Sequence, residues 1–506
     1  MNLKLMLKEK ARQYGEKTAV AMGQYRLAYA KLDEASNRVA NALVKMGVVK
    51  GDRVAMLLSN SPEFVVIYFG IIKTGGIAVP LDIRYKVAEL TSLFNDAQPK
   101  VLVAESSSIQ PLLPYLSQFT FMKQVIEVGS KYKGRFPNYL EIIATSPAQR
   151  LKVELEPEDV AHIGYTSGPT SHPRGVMLSH QSLVKEATIS GDGFRQTSDD
   201  KAILFTLPMH HVFGLIVALL SSISTGSTVV ISPGASINSL LELIEREKGT
   251  IFMGVPYTFG LLVNVAEKEG VKHDLDSLHL CVSGGASLPD DIAMRFKQYY
   301  GRDIIQVWGL TESAAGVTCG PVDGSIKLGS AGKVLSGWEV RIVNENGREL
   351  PPNQPGEVIV KGPIMKGYYN NPKATAEAIK DGWLYTGDIG RVDEDGYLFI
   401  VGRKKETIIV KGQNIYPGDI EGVLRTHPKI AEAAVVGIPD KLRGEIVRAV
   451  IVLKAGTKAK EIRRFCRQYM ADYKLPKQIM FLDSLPKTAS GEIRKEELRD
   501  DLSILG

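Results

Sequence analysis

Four runs between residues 201 and 285 decide the fold: Lys201-Ala-Ile-Leu-Phe-Thr-Leu-Pro208, Ser227-Thr-Val-Val-Ile-Ser-Pro233, Gly249-Thr-Ile-Phe-Met-Gly-Val-Pro256 and Leu278-His-Leu-Cys-Val-Ser-Gly-Gly285. Each is a short β-rich stretch closed by Pro or Gly and followed by a helical pattern, the alternation expected of parallel strands covered by helices. The same texture extends toward the amino terminus. Apolar residues at helical spacing in Leu32–Leu43 precede a strand-like run at Asp52–Leu58, and Pro62–Gly75 is followed by another at Ile77–Asp82. Toward the carboxyl end it changes near Gly329 to short strands with turn signals, at Gly337–Leu350, Gly356–Pro363 and Asp393–Gly402, which read as a small antiparallel β region. A boundary is expected near Arg403. Beyond it Asn414–Pro428 and Lys460–Tyr473 read as helices, and Ala431–Asp440 and Arg448–Lys454 as strands. The expected class is α/β: a large domain of helix-covered sheets with an antiparallel region (1–402), then a small α+β domain (403–506).

The chain has 506 residues, 44% hydrophobic and 23% charged, which excludes disordered, collagenous and coiled-coil classes. Cys281, Cys319 and Cys466 are odd in number and form no CxxC pair, so neither a disulfide framework nor a zinc site is supported and a reducing cytoplasm is expected. The longest apolar stretches, such as Phe64–Ile72, are about half the roughly 20 residues a membrane-spanning helix needs. The first residues carry charge in every turn and lack the apolar region of an export signal. The net charge of +6 lies at one end: residues 403–506 hold 21 Lys/Arg and 14 Asp/Glu, against 41 and 42 in residues 1–402. No nucleic-acid motif accompanies that basic excess, and a phosphate-bearing small molecule suits it better.

The segment Tyr165-Thr-Ser-Gly-Pro-Thr-Ser-His-Pro-Arg-Gly175 is dense in hydroxyls and glycine. Taken alone it reads first as a polar surface turn. Its alternative is an anion-binding loop, because hydroxyls and glycine N–H groups donate to phosphate oxygens and Arg174 adds a forked cation. It is not a Walker A loop.

In this setting the loop resembles the phosphate loop of the acyl-adenylate-forming superfamily, and further likenesses follow in order. They are Pro208–Gly214, Ser283–Ala286, Trp308-Gly-Leu-Thr-Glu312 (the family's Tyr-Gly-x-Thr-Glu), Gly356–Pro363, Tyr385–Asp388, Gly402–Gly412 with Asn414–Pro417, and Pro486–Gly491. The resemblance covers essentially the whole chain and implies a fatty-acid acyl-CoA synthetase using ATP, Mg²⁺ and coenzyme A. It implies nucleotide contacts from Thr166, Ser167, Gly168, Thr170, Arg174, Gly284, Gly285, Ala286, Trp308 and Gly309. Thr311 would meet the phosphates and Glu312 the metal. Asp388 and Arg403 would hold the ribose, Lys405 would be the hinge of a mobile carboxyl-terminal domain, and Gly412 would face the pantetheine passage. His211, Gly285 and Ala314 would line the acyl site. An aryl-acid ligase and an enzyme that loads a carrier protein are the alternatives within the family. The oligomeric state stays open between monomer and homodimer.

Three departures from the family pattern bear on this reading. Glu492 stands at the position of the family's catalytic lysine, where a carboxylate would repel both the substrate carboxylate and the α-phosphate. Slow adenylation follows, or a partly degenerate member that binds nucleotide or acyl-adenylate. Lys495, one helical turn further if that segment is helical, is a candidate substitute cation. In the phosphate loop, Pro169 replaces the usual Thr and Ser171 the usual Gly, removing an N–H, a hydroxyl and some backbone freedom. Arg174 stands for the usual Lys, keeping charge but changing donor geometry.

Overall fold

The computed structural model describes residues 1–129, 135–166, 174–234, 236–410, 413–440, 444–470, 474–488 and 491–499. The four runs quoted above form the strands Lys201–Leu204, Thr228–Ile231, Ile251–Gly254 and Leu280–Gly284. They lie parallel, with Thr18–Met22 added parallel at one side and Ile304–Leu310 at the other. Antiparallel strands at both margins complete a nine-stranded sheet. Parallel strands covered on both faces read as continuous apolar runs, which is why these four stretches show no alternation. The helices Ile237–Glu247, Pro256–Glu269 and Asp290–Tyr300 cover one face through Leu240, Ile244, Phe259 and Phe296.

A seven-stranded sheet carries Arg53–Leu57, Ile77–Pro80, Val101–Glu105 and Gln124–Val128 as parallel strands, extended by Val160–Thr166 and Arg174–Ser179. Between the two sheets runs the helix Pro62–Thr74. All its residues except Glu63 are buried, because both neighbouring layers are apolar. Ser61 caps it by accepting from the Phe64 N–H, Pro62 opens its first turn, and Gly75 closes it at φ 76°. Its 13 residues are too few to cross a bilayer, and among the described residues no helix is long and apolar enough to do so.

The region after Gly329 forms the expected antiparallel sheet from Glu339–Val343, Gly356–Lys361, Ile379–Lys380, Trp383–Val392 and Leu398–Arg403. The carboxyl-terminal part builds a further five-stranded sheet with the helices Pro417–Arg425 and Ala459–Cys466. Its apolar side chains, from Ile408 to Leu498, form two core clusters that include no residue from earlier in the chain. The second of these helices is shorter than the sequence pattern predicts. At Cys466 the chain tightens into turns in which the Gln468 and Tyr469 N–H groups reach back only three residues.

Candidate active site

Two neighbouring parallel strands, Leu280–Gly284 and Ile304–Leu310, end side by side, and the crevice beyond such strand ends is where open α/β sheets bind ligands. Gly284 is buried against the ring of Phe213, while Gly285 and Ala286 emerge beyond it with exposed surface. The second strand carries Trp308 and Gly309 into a single 3₁₀ turn, Thr311–Ser313. A side chain at Gly309 is barred, since its Cβ would lie 1.5 Å from the Ala315 carbonyl oxygen.

The strand Val160–Thr166 packs against this turn so closely that a Cβ at Gly164 would meet Thr311 Cγ2 at 3.2 Å. Its end is therefore delivered to Thr311. The return strand begins at Arg174, opposite Thr166. Ser167, Gly168, Pro169, Thr170 and Ser171, between the two, lie outside the described residues, as does Gly412. Residues 365–369 stitch the two motifs together: Met365 N–H donates to the Glu312 carbonyl at 2.8 Å, Lys366 N–H to Met177 at 2.8 Å and Tyr369 N–H to Gly175 at 2.7 Å. From this segment the Tyr368 hydroxyl donates to Glu312 Oε1 at 2.8 Å, and the Arg174 guanidinium sits 5.6 Å from the centre of the Tyr368 ring. Sequence reasoning passed over Tyr368, because nothing in Gly367-Tyr-Tyr-Asn370 marks one tyrosine as a partner for a glutamate 56 residues away.

On the adjoining antiparallel sheet, Asp388 and Arg403 face each other in register. Arg403 Nε lies 2.9 Å from Asp388 Oδ1, and Trp308 Nε1 donates to Asp388 Oδ2 at 3.0 Å. Asp388 is buried, which pushes its pKa up; the Arg403 charge and the indole N–H oppose that shift and favour the carboxylate.

The carboxyl-terminal part meets this site through a tight turn. Thr488 N–H donates to the Glu492 carbonyl at 2.7 Å and Glu492 N–H to Thr488 Oγ1 at 3.1 Å, with Gly491 at φ 88°. Residues 489 and 490 lie outside the described set. Glu492 is exposed, with its carboxyl partly desolvated by the protein crowded around it. That crowding raises its pKa; the Arg403 and Lys405 charges oppose the rise, while Glu406 and Asp388 reinforce it. The structure thus brings Glu492, Arg403, Lys405 and Asp388 into one electrostatic neighbourhood. The substitution by Lys495 is not realised. Its ammonium is bound to Glu421 at 2.9 Å and Glu406 at 3.1 Å, and the helical turn that would carry it toward Glu492 begins only at Lys495.

His211, two residues before Phe213, keeps accessible surface, while desolvation of its ring lowers its pKa, leaving a neutral ring near pH 7. Phe213 N–H donates to His211 Nδ1 at 3.3 Å, which assigns the ring proton to Nε2. Past it, Phe213–Leu220 winds as a π-helix, a form concentrated at functional sites. Its residues Leu215–Leu220 are nonetheless plain core, at most 1% exposed. Ala314, expected to line the acyl site, is fully buried; a left-handed backbone (φ 53°) tucks it beneath the Thr311–Ser313 turn, so it offers no surface to the cleft.

Among the described residues no cluster of three His, Cys, Asp or Glu forms a metal site. Magnesium carried in by a nucleotide takes one or two protein carboxylates and fills its remaining sites with phosphate oxygens and water. Glu312, oriented by Tyr368 beside Thr311, fits the carboxylate role.

Comparison with known proteins gives a consistent set of likenesses. A family model described as AMP-binding enzyme matches residues 7–369, and one described as AMP-binding enzyme C-terminal domain matches residues 419–492. A long-chain-fatty-acid–CoA ligase of Bacillus subtilis is 32% identical over 99% of this chain and 94% of its own length. An indoleacetate–CoA ligase of Aromatoleum aromaticum is 35% identical over 96% of this chain and 94% of its own. Among solved structures, ATP-bound MatB from Rhodopseudomonas palustris superposes with a TM-score of 0.90 at 31% identity, covering 100% of both chains.

Proposed function

The chain belongs to the AMP-binding enzyme family, the acyl-adenylate-forming superfamily of AMP-forming acid–thiol ligases, and from that premise we propose that it activates a fatty acid with ATP and transfers it to coenzyme A. What supports the reading is the gathering of the phosphate-loop strands, the Thr311–Glu312 turn and the Asp388–Arg403 pair around the end of the strand Ile304–Leu310. The substrate carboxylate attacks the α-phosphorus of ATP, pyrophosphate leaves, and the coenzyme A thiolate then displaces AMP from the acyl-adenylate. Thr311 and Arg174 donate to the phosphates, Asp388 accepts the ribose hydroxyls, and Glu312 holds Mg²⁺, which when bound offsets charge building on the phosphates. His211, protonated on Nε2, would donate to the acyl carboxylate. The three cysteines are buried and free, so the only thiol the reaction uses is that of coenzyme A, and they suit a cytoplasmic setting.

A fatty acid is the preferred class on the strength of the long-chain-fatty-acid–CoA ligase among the relatives. The domain division we propose is 1–402 and 403–506, with Lys405 as the hinge. The basic excess of the second part would receive the coenzyme A phosphates. The test is release of AMP and formation of thioester across straight-chain acids, aryl acids and a phosphopantetheinyl carrier protein. Preference for an aryl acid or for the carrier protein would overturn the fatty-acid or the coenzyme A assignment.

One observation supports a second reading. Glu492 lies in the electrostatic field of Asp388 and Arg403, where it would repel both reacting anions. In this reading the chain binds nucleotide and acyl-adenylate but forms the adenylate slowly.

A further inference from the structure

Asp388 has both carboxylate oxygens engaged before any nucleotide arrives. Arg403 Nε takes Oδ1 at 2.9 Å, and the Trp308 indole N–H takes Oδ2 at 3.0 Å. Each carboxylate oxygen has two acceptor positions, so one remains free on each. The two donors come from different sheets. Trp308 lies near the end of a strand of the nine-stranded sheet, and Arg403 ends a strand of the antiparallel sheet. A buried carboxylate held by donors from two directions cannot rotate about its terminal bond without breaking a charge-assisted hydrogen bond.

We propose that Trp308 is a positioning residue for the nucleotide: through Nε1–H it fixes the plane of Asp388, so that the free acceptor positions meet a vicinal diol, the ribose 2′- and 3′-hydroxyls together. This role is separate from any contact the indole face makes with the base, and it rests on the reading of the cleft as an ATP site. A phenylalanine would keep the flat face and lose the donor. The indole N–H also favours the charged form of a carboxylate that burial pushes toward protonation, so its loss raises the pKa of Asp388. Binding that needs the carboxylate is then lost at a higher pH as the solution is acidified.

The experiment is calorimetry of the full-length protein with Mg-ATP and with Mg-2′-deoxyATP, for wild type, Trp308→Phe, Asp388→Ala and the double variant. A hydrogen bond to a charged group is worth about 1.5 kcal/mol or more, so Trp308→Phe weakens ATP by about tenfold. It weakens 2′-deoxyATP less, narrowing the discrimination between the two, and its ATP affinity falls at a higher pH than that of wild type. In the Asp388→Ala background the same substitution costs little. Unchanged ATP affinity in Trp308→Phe, or an equal loss with and without Asp388, overturns the proposal: the indole then acts by its face alone. If wild type binds no ATP, the nucleotide reading fails and this one fails with it. A melting curve checks that Trp308→Phe is folded. Should it not be, Trp308→Leu, which also lacks a donor, carries the same comparison with and without Asp388.

Discussion

The two walls of the cleft are built to different standards. On one wall the two carboxylates are clamped by other segments: Glu312 by Tyr368, Asp388 by Trp308 and Arg403. On the other wall Glu492 hangs from a turn closed by Thr488, and its side chain is exposed. A change on the clamped wall disturbs packing and chemistry together. A change on the turn is expected to leave the fold untouched, so a substitution at Glu492 tests chemistry alone.

The largest effect comes from restoring the cation. Glu492→Lys should raise the rate of acyl-adenylate formation by about 10²–10³, the usual worth of one well-placed electrostatic stabiliser, with the melting temperature unchanged. Single-turnover AMP formation measures the first and a thermal melt the second; a shifted melt would erase the contrast between the walls. On the clamped side, Asp388→Ala should weaken ATP by about a hundredfold in calorimetry, since two hydrogen bonds to a carboxylate are lost. Unchanged affinity would remove Asp388 from the ribose role.

Lys405 lies between the two walls. Lys405→Pro should slow thioester formation about tenfold more than adenylate formation, because a restricted hinge hinders the reorientation between the half-reactions. Equal slowing of both steps, read by quench-flow, would argue against rotation about this residue. The smallest effect concerns pH. Crowding raises the Glu492 pKa, so the side chain takes up a proton at a higher pH than an ordinary carboxylate and its repulsion fades on acidification. Glu492→Gln should therefore outpace wild type several-fold at about pH 8, with the gap narrowing toward about pH 5.5. A ratio independent of pH would show that Glu492 does not face the reacting anions.

The parallel strands were legible because burial on both faces writes itself as uninterrupted apolar runs closed by Gly or Pro, as in Ile251–Gly254. The helix Pro62–Thr74 was bounded by its own caps, Ser61 and Gly75. What the sequence could not convey are contacts between segments far apart in the chain. Tyr368 on Glu312 is one, and the capture of Lys495 by Glu406 and Glu421 is another; that capture defeats a local argument from helical spacing. Ala314 failed for a related reason: a motif places a residue near a site, whereas backbone dihedrals decide whether it turns toward the cleft or under it. Burial assigns most of the apolar run Phe213–Leu220 to the core.

The most direct test of the account is AMP and acyl-CoA formation by purified wild type and Glu492→Lys, given Mg-ATP, coenzyme A and a graded series of straight-chain acids. The account predicts thioester from both proteins with the same preferred chain length, and faster adenylation by Glu492→Lys. No AMP from either protein with any acid, or no acceleration on restoring the lysine, would contradict it.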